Sequence, residues 1–235
     1  GSGKNSFMTN NINILCFDTA LGGITIGVGL SDGSVLTHYY ETEREQASLL
    51  VPQLQEVLEK GGIAFQDLDA VACTIGPGSF TGLRIEMTTA KTLGLSLEKP
   101  VIGINTLDLM VRHYDVTDNL LILLETKRQD FYACYYDTDK KELFEPFAAS
   151  AEDILEKAPF DDFVVGGDCL ERFKSLSDAS LAYLNNIEHP QADVLVNLAF
   201  EYYQNSEYDE RIEPLYLRGA DTSKPKHKPR KLAKA

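Results

Sequence analysis

The chain has 235 residues, 43% of them hydrophobic and 25% charged, an ordinary globular composition with length for one large domain or two modest lobes. It carries a net charge of −14 and no apolar run near the roughly 18 residues needed to cross a bilayer, which excludes a spanning helix and argues against a main-body grip on nucleic acid. The charge is uneven: residues 224–235, KPKHKPRKLAKA, hold six Lys/Arg and no acid, and without them 16 basic residues face 36 acidic ones, leaving the body at −20. That tail, within residues 218–235, reads as a flexible solubilising end, with contact to RNA as the alternative.

Residues 1–7, GSGKNSF, lack the apolar core of a secretory signal and read as a cloning remnant. GSGK matches part of a P-loop, but no strand precedes it and Asn5 stands where Ser/Thr is needed. Residues 12–18 (INILCFD) then read as a buried strand. After TALGG, Ile24, Ile26, Val28 and Leu30 alternate with small residues in a second strand. Ser31-Asp32-Gly33-Ser34 predicts a hairpin turn, and VLTHYYE returns as a third strand. In EQASLLVPQLQEVLEKGG, Ala47, Leu50, Leu54, Val57 and Leu58 share a helical face that ends at Gly61-Gly62. Pro52 either delays the start of this helix or kinks it.

A fourth strand, DAVACTI, runs into TIGPGSFTGLR, residues 74–84. The helix that follows places Phe80, Leu83, Met87, Ala90, Gly94 and Leu97 on one stripe. PVIGIN is a fifth strand and TLDLMVRHY opens another helix. NLLILLE and DFYACYYD read as strands joined by the charged turn TKRQ, DDFVVGGD as a short strand, and QADVLVNLAFEYYQN as a helix with Val194, Leu198 and Tyr202 in register. The order predicts an α/β fold of two similar lobes, a first at residues 8–116 (β-β-β-α-β-α-β-α) and a smaller second at 117–217, and not a simple doubly wound sheet. Cys16, Cys73, Cys134 and Cys169 are scattered and form no CxxC pair; the first three lie in strand-like apolar runs, which suits buried free thiols in a reducing cytoplasm.

The glycine-rich loop follows a strand and opens a helix, where phosphate is often bound. Its spacing is GxGxxxG, however, and it has no P-loop lysine. Gly76 and Gly78 permit a sharp turn, Pro77 stiffens it, and Ser79 is placed to cap the helix. Gly82, Ala90 and Gly94 lower the helix surface so that another helix can approach.

The chain from Ile12 to Leu217 resembles the bacterial TsaB (YeaZ) family of tRNA threonylcarbamoyladenosine (t6A) biosynthesis proteins. GPGSFTGLR (76–84) is the most specific marker, supported by FDTA, LLVPQL, PVIGINTL, ETKRQDFYA and PLYLR. The resemblance implies an actin/Hsp70-like (ASKHA, RNase H-like) two-lobed fold with a reduced second lobe, at work in the cytoplasm on the adenosine beside the tRNA anticodon. It further implies a non-catalytic subunit that docks and activates the related enzyme TsaD, is joined by the ATPase TsaE, self-associates as a homodimer when alone, and meets tRNA mainly through the complex. The family's docking helices correspond to residues 46–60 and 79–97, with Leu50, Leu54, Leu58, Phe80, Leu83, Arg84, Met87, Ala90 and Gly94 as partner-binding candidates. Arg84 and Glu86 would lie near the joint. The plainer reading of the stripe is core.

Any nucleotide would be ATP or ADP where the subunits meet, near Gly76, Gly78, Ser79, Thr81 and Gly82, with no intrinsic cofactor. In ATPases of this fold an acid on the first hairpin positions Mg²⁺ and phosphate. Asp18 stands there by analogy, though its structural reading, accepting turn amides, is favoured. TsaD carries a metal-binding His-x-x-x-His pair whose two places fall here on Thr106 and Met110, and His38, His113, His189 and His227 make no i, i+4 pair, so no catalytic residue and no metal ligand is assigned. The sequence departs from the family's usual pattern at Gln46 (commonly His), Glu86 (commonly Gly), and Glu125, Gln129 and Asp130. The alternative reading is a stand-alone ATPase or small-molecule kinase using Asp18 and the loop, with Asp168 as its base; a third is a homodimeric interaction module.

Overall fold

The computed structural model describes residues 11–205 and 212–214. The expectations for residues 1–7 and for the tail at 218–235 lie outside them, as does most of PLYLR.

Alternating apolar positions build a first sheet from β1 (Ile14–Asp18), β2 (Ile24–Gly29), β3 (Val35–Tyr40), β4 (Ala70–Gly76) and β5 (Val101–Asn105), in the order β3-β2-β1-β4-β5. β1, β2 and β3 are antiparallel, whereas β4 and β5 run parallel to β1. The turn at 31–34 forms as read, with the Ser34 amide donating to Asp32 Oδ1 at 2.8 Å. Period two sorts the side chains onto two faces. Leu15, Phe17, Ile24, Ile26, Val28, Val71 and Cys73 pack under α1 (Gln46–Lys60) and α2 (Phe80–Leu97). Ile14, Cys16, Ala70, Ala72, Ile102 and Ile104 pack on the other side, under α6 (Ala192–Gln204).

The second sheet repeats the first. β6 (Leu120–Glu125), β7 (Phe131–Tyr136), β8 (Phe147–Ala149), β9 (Val164–Gly167) and β10 (Ala182–Asn186) follow the order β10-β9-β6-β7-β8, with the same pattern of two antiparallel and two parallel pairings. Its helices α4 (Ala151–Glu156) and α5 (Leu170–Ser175) have six residues each, where α1 and α2 have 15 and 18. The two-lobed actin/Hsp70-like architecture with a reduced second lobe is therefore present. β8, α4, α5 and β10 carry too few periodic positions to be read from sequence.

The boundary at 116/117 separates the sheets but not the helices. α3 (Thr106–Val111), from the first lobe, sends Leu107, Met110 and Val111 against Leu120, Ile122 and Leu124 of the second sheet. α6 comes from the second lobe and lies on the first sheet through Leu195, Val196, Leu198 and Ala199, so its place in 117–217 needs correcting. The small residues of β2 make room for it: a Cβ at Gly27 would stand 2.6 Å from Val196 Cγ2 and 2.8 Å from the Ala192 carbonyl. Val194 and Tyr202 are only half-buried, because this contact turns α6 toward Leu195 and Ala199. Two other local readings shift as well. Pro52 lies inside α1 and does not mark its start, and Ala47 is exposed.

The crossing helices are pinned together. Arg112 makes a two-pronged contact with Glu201 at 2.7 and 2.9 Å, and the Tyr202 hydroxyl donates to Asp108 at 2.5 Å. His113 donates from Nδ1 to the Leu109 carbonyl at 2.8 Å and accepts the Gln191 amide at Nε2 at 3.0 Å.

Candidate functional site

The glycine-rich loop turns the chain from β4 into α2. Gly76 takes φ +109°, a conformation open mainly to glycine. Ser79 caps α2 as read, its hydroxyl accepting the Gly82 amide at 3.3 Å. The loop is pressed onto the turn between β1 and β2: the Ser79 amide donates to the Ala20 carbonyl at 3.1 Å, and a Cβ at Gly82 would come within 2.1 Å of the Thr19 carbonyl. The close neighbours of Gly82 and Gly94 are thus the Thr19 backbone and Val101, not another helix, which corrects the reading of both as a landing surface for one. Gly76 is buried, Gly78 and Ser79 are half-buried, and Thr81 is exposed.

Beneath the loop lies a polar cluster sealed from solvent. Asp18, Thr74 and Glu86 have no exposed surface, and Thr19 has almost none. Asp18 Oδ2 accepts the Leu21 amide at 3.1 Å, a turn contact of the kind expected of it. Asp18 Oδ1 meets the Thr74 hydroxyl at 2.5 Å, and the same hydroxyl contacts Glu86 Oε1. Glu86 Oε2 accepts the Thr19 amide at 2.5 Å, while the Thr19 hydroxyl donates to the Gly82 carbonyl at 2.6 Å. Burial pushes both carboxyls up, and the neighbouring Asp18 adds to the rise at Glu86.

This cluster corrects two expectations. Glu86 is interior and does not stand at a joint, and Asp18 does not face a crevice where Mg²⁺ or phosphate could reach it. Thr74 drew no notice in the sequence because it looks like an ordinary strand-end threonine, and Thr19 stood out only as the neighbour of Asp18 in FDTA. The only hint was Glu86 itself, an acid one residue from Met87 on an apolar stripe.

The partner-binding candidates divide. Leu50, Leu54 and Leu58 of α1 and Leu83, Met87, Ala90 and Gly94 of α2 are buried in this chain's own core. They hold the helices down and cannot touch a partner in this conformation. Phe80 and Arg84 are outward, Phe80 at 55% exposure with the Arg84 guanidinium 5.9 Å from its ring centre. Leu95, 83% exposed farther along α2, and Val51 on α1 add apolar surface that the stripe did not include.

In the second lobe the equivalent strand ends are also filled by the chain itself. The Asp168 carboxyl accepts the Glu125 amide at 2.8 Å, and burial raises it to about 7. Glu125 pairs with Arg172 at 2.7 Å, and Arg172 also donates to the Asp130 carbonyl and lies 3.7 Å over the Phe131 ring. Arg172, on a helix too short to read from sequence, was missed. Thr106 and Met110 are buried, Met110 among apolar side chains. Among the described residues no three His, Cys, Asp or Glu side chains are grouped to hold a metal ion, and no helix is long and apolar enough to cross a membrane.

Residues 40–163 match the family model described as "TsaD: tRNA N6-adenosine threonylcarbamoyltransferase". The chain is 27% identical over 220 residues to the tRNA threonylcarbamoyladenosine biosynthesis protein TsaB of Escherichia coli (strain K12), covering 88% of this chain and 95% of that one. It is 25% identical over 231 residues to the protein of the same name from Haemophilus influenzae, covering 91% and 97%. Among solved structures, YeaZ from Pseudomonas aeruginosa superposes with a TM-score of 0.76 at 22% identity, over 88% of this chain and 100% of that one.

Proposed function

The chain belongs to the TsaB (YeaZ) family, and on that premise we propose that it serves t6A formation in tRNA as a non-catalytic subunit that docks and activates TsaD. The observation that carries the non-catalytic part is the burial of Asp18. An acid that works on a metal–nucleotide complex needs a path to it, whereas Asp18 is enclosed and its oxygens are taken up by Leu21 and Thr74. Asp168, the candidate base of a kinase, is likewise engaged by the Glu125 amide. This disfavours the stand-alone ATPase or kinase reading.

The docking face is the outward side of α1 and α2, with Phe80 and Arg84 at its near end and Val51 and Leu95 adding apolar area. The buried stripe beneath makes that face rigid, so little ordering cost accompanies association. When TsaD is absent a second copy of the chain takes the same face. TsaE joins the pair, ATP or ADP sits where subunits meet near the exposed start of α2, and tRNA is held mainly by the other subunits, all in the cytoplasm. The direct test is reconstitution: purified chain, its own TsaD and unmodified tRNA, with the remaining pathway components supplied. Threonylcarbamoyl transfer should require the chain, and the chain alone should neither modify tRNA nor turn over ATP. Robust ATP hydrolysis by the lone chain would restore the kinase reading.

A further inference from the structure

Glu86 sits on the helix that carries the docking face, yet it points inward, and a count of hydrogens constrains its state. The Thr74 hydroxyl owns one hydrogen but contacts a carboxyl oxygen on each side, Asp18 Oδ1 at 2.5 Å and Glu86 Oε1. One contact uses the Thr74 hydrogen, so the other needs a hydrogen carried by a carboxylic acid. Two ionised carboxylates would instead face each other across a single donor in a fully buried setting, at a large cost in desolvation and repulsion. The Thr19 hydroxyl does not relieve this: it lies 2.6 Å from the Gly82 carbonyl and 3.2 Å from Glu86 Oε2, on the side of Glu86 away from the contested Oε1.

We propose that Glu86 is a positioning residue that works as a neutral acid, donating to Thr74, which donates in turn to Asp18, so that one relay fixes α2 and its docking face to the turn between β1 and β2. This deepens the docking reading and rests on it wherever the partner is concerned. The backbone closes the relay at both ends, through the Thr19 amide on Glu86 and the Leu21 amide on Asp18. Asp18 on β1 bears on Glu86, as both carboxyls bear on Cys73 of β4. Cys16 and Lys91 bear on Cys73, while His189 and Tyr39 lie around Asp18. Among the described residues no Lys or Arg forms an ion pair with either acid.

The sign follows from the raised folded-state value. The contribution of Glu86 is complete below its unfolded value, about 4.3, and is lost as pH rises toward ionisation in the folded chain. Glu86→Gln keeps a neutral group that can accept from Thr19 and donate to Thr74, whereas Glu86→Ala deletes both bonds. The experiment follows the ¹³C-labelled Glu86 carboxyl of the full chain by NMR from pH 4 to 9, alongside urea midpoints and TsaD affinity for wild type, Glu86→Gln and Glu86→Ala. The Glu86 signal should still report an acid after the surface glutamates have titrated. Glu86→Gln should bind TsaD within about twofold of wild type and lose the alkaline fall in urea midpoint, and Glu86→Ala should weaken docking at least about tenfold. Titration of Glu86 together with the surface glutamates, or damage from Glu86→Gln equal to that from Glu86→Ala, would overturn the relay. The NMR and urea readings need no partner, so a wild-type chain that fails to bind TsaD sinks the docking reading and leaves the relay to be judged by itself.

Discussion

The Thr19 carbonyl fills the space where a β-carbon of residue 82 would stand, 2.1 Å from its ideal position. The neighbour is backbone and anchors the end of β1, so it cannot swing aside. Gly82→Ala must therefore push α2 off the first hairpin. It should cost about 3 kcal/mol in urea unfolding and broaden the amide signals of the 19–23 turn. A change under about 0.5 kcal/mol would mean that the loop yields more easily than its contacts indicate.

Burial separates two sets of substitutions along α2. Ala90→Glu and Gly94→Glu place charge in the core, with the Gly94 site already 2.3 Å from Val101 Cγ2, and should leave little folded protein by circular dichroism. They report on folding and cannot serve as docking probes. Phe80→Ala and Arg84→Glu alter exposed side chains and should change stability by no more than about 0.5 kcal/mol.

His113 makes the clamp between α3 and the start of α6 sensitive to acid. Burial lowers its pKa, and its Nε2 must stay unprotonated to accept the Gln191 amide. The group therefore stabilises the fold above its unfolded value of about 6.5, and that stability is lost as pH falls through the lower folded value. Urea midpoints measured from pH 7.5 down to 5 should decline in the wild type, and His113→Gln should flatten this part of the curve. An unchanged slope in the variant would assign the acid sensitivity elsewhere.

Asp168 acts in the opposite sense. Its carboxyl is raised to about 7, so its contribution is complete below about 3.9 and fades as pH climbs through 7. Asp168→Asn can still accept the Glu125 amide and should remove that decline, most visibly between pH 5 and 8. Nearby, Arg172→Ala strips a half-buried partner from Glu125 and a cation from the Phe131 face. It should cost about 1–2 kcal/mol, less than a fully buried pair because water still screens it.

Much of the first lobe was legible because its signals agree with one another. Alternation in Ile24, Ile26 and Val28, the Asp32-Gly33 turn, the Leu50/Leu54/Leu58 face and the Ser79 cap each point to the element that forms. The second lobe was less so, since β8 has three residues and α4 and α5 six each, lengths at which periodicity carries little information. Of the stripe read on α2, Leu83, Met87, Ala90 and Gly94 share the buried face while Phe80 turns outward, and a face that packs on a sheet and one that packs on a partner share the same spacing. The Asp18–Thr74–Glu86 cluster was hidden for a different reason. Its members are 56 and 12 residues apart and meet only when β1, β4 and α2 come together.

The central claim is that the outward side of α2 joins this chain to TsaD. Its most direct measurement is size-exclusion co-elution of purified TsaD with the wild-type chain and with a Phe80→Ala, Arg84→Glu double variant of confirmed fold. Wild type should shift with TsaD into one peak and the variant should elute separately. Undiminished co-elution of the variant, or none by the wild type, would contradict it.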